Sequence, residues 1–393
     1  MTANDAFFKQ RKPVAVFKHK LLVDYLTAWA TKLSVYSNGA VAFLDGYAGT
    51  GRYEDGTPGS PLVAMNAAQA LRDQQSPKVL RNFFVESDPK YFKELKKNVL
   101  SHPLGQTARL YPGDVVDHLD SVVTQVGSAP LLVFLDPFGT SFDSDLIKTH
   151  FLTDPKMKVE VLLNVSIQAV WRIGGLLTSN TYEPHFHKSL ERLDNSLDGT
   201  WWRAQFIEAR ERFQLDGTAR YVAQAAREVS DAFANRLVHG TPHQALSVHL
   251  RKTTEAEPIF SLTLFHKHRE ARLLFIDSAA RAHREWRRAY WGDQAIRLNT
   301  SDTLFEISPD AECDHELEAL SRESVAKIQK NIVSVLERAL AIRVSDHPSQ
   351  LFGKSIGTAG KSELRKAINK LEKDGRISVV RAKKLDDWTL KRP

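Results

Sequence analysis

The sequence predicts an α/β chain built on a doubly wound, mostly parallel sheet, with a small separate module at its C-terminal end. Three observations predict it. Five short apolar runs alternate with stretches of helical periodicity, the pattern of strands buried on both faces and joined by crossover helices. The first run ends in a glycine-rich turn, the kind of strand-to-helix turn that lets backbone approach a ligand. The third is charge: the 393 residues carry 54 Lys and Arg against 47 Asp and Glu, a net +7. From Ser345 to Pro393 there are 12 basic and 6 acidic residues. The basic surplus therefore belongs almost wholly to the tail of the chain, and the residues before Ser345 are nearly neutral.

Taken in order, Val14–Leu33 carries Phe17, Leu21, Leu22, Tyr25, Leu26, Trp29 and Leu33 at helical spacing. Ala40–Leu44 is the first strand and runs into Asp45-Gly46-Tyr47-Ala48-Gly49-Thr50-Gly51. A helix over Leu62–Leu71 follows, with Ser60 expected as its N-cap and Pro61 at its first position. Asn82–Glu86 is the second strand, and a lysine-rich helix follows around Tyr91–Leu100 with Asp88 as a cap candidate. Ala108–Tyr111 is a weaker third strand ending near Asp114. Leu131–Leu135 is the fourth, closed by Asp136-Pro137-Phe138-Gly139, and Glu160–Asn164 is the fifth. Residues 167–240 read as a helical insertion. Ala245–Leu250 and Ile259–Phe265 then close the sheet as a strand pair with an antiparallel edge. Helical patterns resume at Ala271–Tyr290 and Glu316–Ile342.

The body is expected to span residues 1–290 and the module residues 310–393. Within the module, Ser362–Asp374 places Leu364, Ala367, Ile368 and Leu371 on one helix face, and Gly375 stops it. Ile377–Val380 and Trp388–Leu390 would pair as a hairpin around a basic turn. A helix followed by a basic hairpin is the ending of a winged helix-turn-helix. That assignment makes Lys361, Arg365, Lys366 and Lys370 on the recognition helix, with Arg381, Lys383 and Lys384 on the hairpin, the contacts to a nucleic acid, DNA or RNA. A solvated helix face is the other reading of the same charges.

Apolar residues at 42% and charged residues at 26% are ordinary for a globular chain and exclude disordered and fibrous classes. The single cysteine, Cys313, excludes a disulfide framework, a zinc ribbon and a Cys-ligated cluster within this chain. It points to a reducing compartment, the cytoplasm. No run of about 18 apolar residues is present, so no membrane partner is expected. The opening MTANDAFFKQRK has no apolar core of a signal peptide.

The chemistry gathers at the strand ends. The glycine loop after the first strand either cradles a ligand or is a plain strand-to-helix turn. Glu86 ends the second strand, where a carboxylate accepts hydrogen bonds from ribose hydroxyls, and Asp114 sits where it could reach an adenine amino group. No nucleoside-triphosphate P-loop is present, and Tyr47-Ala48 breaks the glycine spacing of nicotinamide sites. The combination resembles class I S-adenosylmethionine (SAM)-dependent methyltransferases. The resemblance implies that Asp45, Gly46, Gly49 and Gly51 hold the methionine part of the cofactor, Glu86 the ribose and Asp114 the adenine. Asp136-Pro137-Phe138-Gly139 resembles the Asp/Asn-Pro-Pro-aromatic motif of nucleic-acid amino-methyltransferases, with one proline where that motif has two. The resemblance implies that Asp136 and the Pro137 carbonyl accept hydrogen bonds from an exocyclic amine while Phe138 stacks on the base.

Lys18–Leu26, Phe43–Gly51, Gly59–Pro61, Phe84–Glu86, Phe134–Gly139 and Glu160–Asn164 together resemble the three-Cys-motif partner family, TcmP. That resemblance implies a bacterial protein working beside a three-Cys-motif, radical-SAM-like partner. The activity it leaves open is methyl transfer to a base amine, or non-catalytic binding of SAM and nucleic acid as an adaptor for that partner.

Other residues carry two readings each. Lys18 and His19 either reach a cofactor or phosphate or occupy an exposed first helical turn. His266 and His268 point the same way from a strand end, without a third metal ligand. Arg281–Trp291 mixes cations and aromatics, as a nucleic-acid-facing helix or a half-buried helix with long side chains reaching out to water both do. Asn164 reads as structural, and no Ser–His–Asp set sits at a nucleophile elbow.

Overall fold

The computed structural model describes residues 13–74, 78–139, 142–178, 184–218, 220–251, 253, 256–298 and 308–393. The opening twelve residues, read above for the lack of a leader, lie outside them. The described residues divide into two compact units, one formed by Trp29–Lys267 and the other by 13–28 with His268–Pro393.

The first unit holds a seven-stranded sheet. Its strands are β1 (Ala40–Asp45), β2 (Val79–Glu86), β3 (Arg109–Pro112), β4 (Leu131–Leu135), β5 (Val159–Val165), β6 (Gln244–Leu250) and β7 (Phe260–His266), in the order β3-β2-β1-β4-β5-β7-β6. β1 to β5 are mutually parallel, and β7 runs antiparallel to both β5 and β6. The fold is Rossmann-like, a doubly wound and mostly parallel sheet. The order reverses between β1 and β4, so the chain leaves β1 toward one side and β4 toward the other. That opens a crevice at their C-terminal ends.

The closing pair β6 and β7 forms the expected antiparallel edge, with β7 one strand in and β6 outermost. Burial explains this: β7 is covered along nearly its whole length, whereas β6 alternates buried and half-buried residues. The more apolar strand takes the central place and the alternating one takes the edge.

α1 (Pro13–Leu33) precedes the sheet in the chain, and between its strands lie α2 (Ser60–Arg72), α3 (Pro89–Leu100), α4 (Leu119–Val126), α6 (Ile167–Gly174), α7 (Pro184–Ser196), α8 (Trp201–Leu215) and α9 (Tyr221–Val238). The short α5 (Ser144–Ile147) continues into a π-turn to Leu152. Asp88 caps α3 as expected, accepting from Lys90 N–H at 2.8 Å. Ser60 is not the cap of α2 but its first residue; Gly59 holds the extended cap position, with Pro61 in the first turn. The expected insertion is the run α6–α9. Its Trp202, Phe206 and Phe233 join Leu44, Val133 and Leu163 in one core on one side of the sheet. A Cβ on Gly174 would lie 2.5 Å from the buried Phe206 ring, so α6 and α8 pack at a distance only glycine permits.

The second unit contains α10 (Arg269–Leu298), α11 (Pro309–Arg338), α12 (Pro348–Phe352) and α13 (Lys361–Lys373). It also holds a small antiparallel sheet of β8 (Ala341–Arg343), β9 (Ser378–Val380) and β10 (Thr389–Lys391), in the order β8-β10-β9. Helical periodicity carried the sequence reading of α11 on to Ile342. The helix ends at Arg338 because Ala341–Arg343 pairs with β10, a partner about fifty residues away that a local pattern does not reveal. Leu364, Ala367, Ile368 and Leu371 are buried, as their spacing predicts. The expected module at 310–393 lies wholly within this unit, which also includes α10.

Candidate functional site

The glycine loop is held by backbone hydrogen bonds to two neighbouring strands. Gly46 N–H donates to the Phe134 carbonyl at 3.0 Å, and Ala48 N–H donates to the Val85 carbonyl at 2.9 Å. A Cβ on Gly46 would meet Leu135 Cδ2 at 2.6 Å, and Gly51 adopts φ +75°, so both positions demand glycine. Glu86, buried at the end of β2, ties the loop down. Its Oε2 accepts from Gly49 N–H at 2.7 Å and its Oε1 from Asp88 N–H at 2.8 Å. Burial raises its carboxyl above the ordinary range, against the pull of those amides.

Asp45 is fully buried at the end of β1. Its Oδ1 accepts from Tyr47 N–H at 3.2 Å, while Oδ2 is buried without a hydrogen-bond partner. Burial pushes its carboxyl up to about 7; the Ser60 side chain and the Tyr47 amide oppose this, and Asp136 and Glu86 add repulsion. Asp114, exposed in the loop after β3, carries a carboxylate that helps raise the Tyr47 hydroxyl, for which burial is the largest cause.

Asp136 and Phe138 are half-buried and Pro137 is buried, directly past the end of β4. Asn164 on β5 donates its side-chain N–H to Asp136 Oδ1 at 2.7 Å. The strand register sets this up, because Leu135 lies beside Leu163 and the next pair is Asp136 and Asn164. The sequence reading treated Asn164 as structural. A polar amide near the end of an otherwise apolar run was the available signal; its partner depends on strand pairing.

Asp45, Glu86 and Asp136 therefore gather at the C-terminal ends of β1, β2 and β4, with the exposed Asp114 after β3. The set is rich in acceptors and contains no lysine or arginine. It suits a ligand carrying ammonium, hydroxyl and amino donors, and it repels a pyrophosphate.

The predicted nucleic-acid contacts divide into two groups. Arg365, Lys366 and Lys370 are exposed on α13, and Lys383 and Lys384 are exposed between β9 and β10. Lys361 instead pairs with Asp386 at 2.6 Å. Arg381 bonds Glu372 at 2.9 Å and lies over the Trp388 ring. The cations of Arg281–Trp291 face carboxylates: Arg281 pairs with Asp24 and Asp277, Arg284 with Glu363, and Arg287 with Glu316. That segment is a packed helix rather than an open nucleic-acid face. Lys18 and His19 are buried, not an exposed turn. His266 is buried and His268 exposed, and among the described residues no group of three metal-ligating side chains occurs. No helix among the described residues is long and apolar enough to cross a membrane.

No protein-family model matches the chain. No curated protein matches it at the sequence level. Among solved structures it is similar to the O-methyltransferase TomG from Streptomyces achromogenes, determined in complex with SAM. The identity is 13% and the TM-score 0.32, covering 63% of this chain and 79% of that one. It is also similar to a putative caffeoyl-CoA O-methyltransferase from Staphylococcus aureus, at 11% identity and a TM-score of 0.31, covering 61% and 82%. A third is the methyltransferase PaMTH1 from Podospora anserina, SAH-bound, at 12% and 0.29, covering 64% and 87%. The fold assignment itself stands on the strand order and register described above.

Proposed function

We propose that the chain is a SAM-dependent methyltransferase acting on an exocyclic amine of a nucleic-acid base. The observation that carries this reading is the Asp136 carboxylate, held by Asn164 at the end of β4, beside the acid-lined glycine loop of β1. When bound, SAM supplies an electrophilic methyl group on a sulfonium. The chain's own residues do the rest. Asp45 offers a buried, unpartnered oxygen to the ammonium of the methionine part, with Gly46, Gly49 and Gly51 leaving room for it. Glu86 accepts from ribose hydroxyls and Asp114 from the adenine amine. Asp136 and the Pro137 carbonyl accept the N–H groups of the target amine, which aims its lone pair, and Phe138 stacks on the base. Catalysis here is positioning with little acid–base demand.

The second unit supports a nucleic-acid substrate. From α11 onward its element order, helix–strand–helix–helix–strand–strand with the sheet order β8-β10-β9, fits a winged helix-turn-helix with α13 as recognition helix. Ser362, Arg365, Lys366, Asn369, Lys370 and Lys373 form one exposed stripe along α13. Their i, i+3, i+4 spacing lets one helix face lie along a phosphate backbone. The three-Cys-motif, radical-SAM-like partner belongs to the same reading, through the motif resemblance.

Titration calorimetry with SAM, and transfer of tritiated methyl from SAM to mixed DNA and RNA, test the proposal. Binding together with incorporation is expected, and Asp136→Ala should lower transfer by about 100-fold while leaving SAM affinity intact. Binding of SAM and duplex without incorporation, with and without the partner, would move the reading to a non-catalytic adaptor.

A further inference from the structure

Asn164 occupies a place where an apolar residue would cost less. It lies on β5, whose seven residues are all buried, between Leu163 and Val165. Its orientation is fixed by chemistry: an ionised carboxylate only accepts, so the amide N–H group must face Asp136. That leaves Asn164 Oδ1 buried and without a partner. A buried amide with only half its polar capacity satisfied works against stability. What it supplies instead is one charge-assisted hydrogen bond, 2.7 Å long, to Asp136 Oδ1.

We propose that Asn164 is a positioning residue for the acceptor amine, locking the Asp136 carboxylate in the rotamer that accepts the substrate N–H. The inference rests on the role given to Asp136 above. Asp45 and Asn164 face Asp136 from the flanking strands. Asp45 on β1 is a nearby carboxyl, so when both ionise they repel. Asn164 on β5 is the donor that holds the Asp136 carboxylate. The two carboxyls thereby differ: burial raises that of Asp45, whereas Asp136 is the one that an amide orients as an acceptor. A protonated Asp136 would present a donor to the amine and lose the alignment.

The test uses the full chain and two variants, Asn164→Leu and Asn164→Asp. Three readouts are followed: the thermal midpoint, the Asp136 carboxyl signal in carbon-13 spectra titrated with pH (identified by its loss in Asp136→Asn), and tritiated methyl transfer to the mixed nucleic acids. In Asn164→Leu the midpoint should stay level or rise, SAM affinity should hold, and kcat should fall about 10- to 100-fold. The acid limb of its pH profile should move to higher pH. Asn164→Asp is isosteric. Its protonated form mimics the amide at low pH, so activity should survive there and vanish along a new alkaline limb as both carboxyls ionise. A loss of stability in Asn164→Leu with an unmoved Asp136 titration would overturn the inference and make the residue structural. If Asn164→Leu does not fold, the presence or absence of the alkaline limb in Asn164→Asp decides. Should wild-type protein transfer no methyl at all, the functional reading fails. The Asp136 titration in the variants still judges the inference separately.

Discussion

Asp45 combines burial and charge in one side chain. Its carboxyl is pushed up to about 7 in the folded chain from an ordinary value of 3.8. The folded state therefore holds this proton more tightly than the unfolded state. The contribution to stability is complete below the unfolded value and is lost as pH rises through about 7. Asp45→Asn should remove that dependence and be more stable than wild type at about pH 8, by on the order of 1–3 kcal/mol in a denaturant titration. Binding should run the other way. A ligand ammonium pairs with the ionised form, so SAM affinity should rise several-fold between about pH 6 and pH 8 by calorimetry, and Asp45→Asn should abolish the rise. At this scale the sequence was highly informative. Asp45, Glu86 and Asp136 all stand at strand ends where motif spacing put them. The partner of Asn164 was not legible, because Asp136 lies 28 positions earlier and only strand pairing brings the two together.

At the scale of elements, α13 shows how one helix serves two surfaces. Leu364, Ala367, Ile368 and Leu371 bury one face, while Arg365, Lys366 and Lys370 project from the other. Glu363 closes the N-terminal turn by accepting from Gly360 N–H at 2.9 Å and pairs with Arg284 of α10. Replacing Arg365, Lys366 or Lys370 by alanine should weaken duplex binding and reduce the salt slope of log affinity by about one per residue, measured by fluorescence anisotropy at several salt concentrations. Lys361→Ala and Arg381→Ala should change that slope less, because Asp386 and Glu372 already compensate those charges. Charge counting along the sequence placed all seven cations in one group; which of them meet carboxylates depends on packing between elements distant in the chain.

At the scale of the molecule, each unit has its own buried core, so each should respond to its own ligand. In calorimetric unfolding of the full chain, SAM at about 100 times its dissociation constant should stabilise the sheet-containing unit by about 2.7 kcal/mol. A short duplex should act on the transition of the α10–α13 unit instead. Movement of neither transition by SAM would count against the cofactor assignment. The basic surplus of the final residues and the apolar runs β1, β4 and β5 were legible without coordinates. Periodicity, turn chemistry and charge are local properties that a one-dimensional pattern carries. By itself the sequence determined the class of sheet, the acidic strand ends and the basic stripe. Only the tertiary structure decided that β7 lies between β5 and β6, that 341–343 leaves its helix for a sheet, and that Asn164 meets Asp136. Each of these is a pairing across a long loop, selected by total burial and hydrogen-bond satisfaction rather than by neighbouring residues.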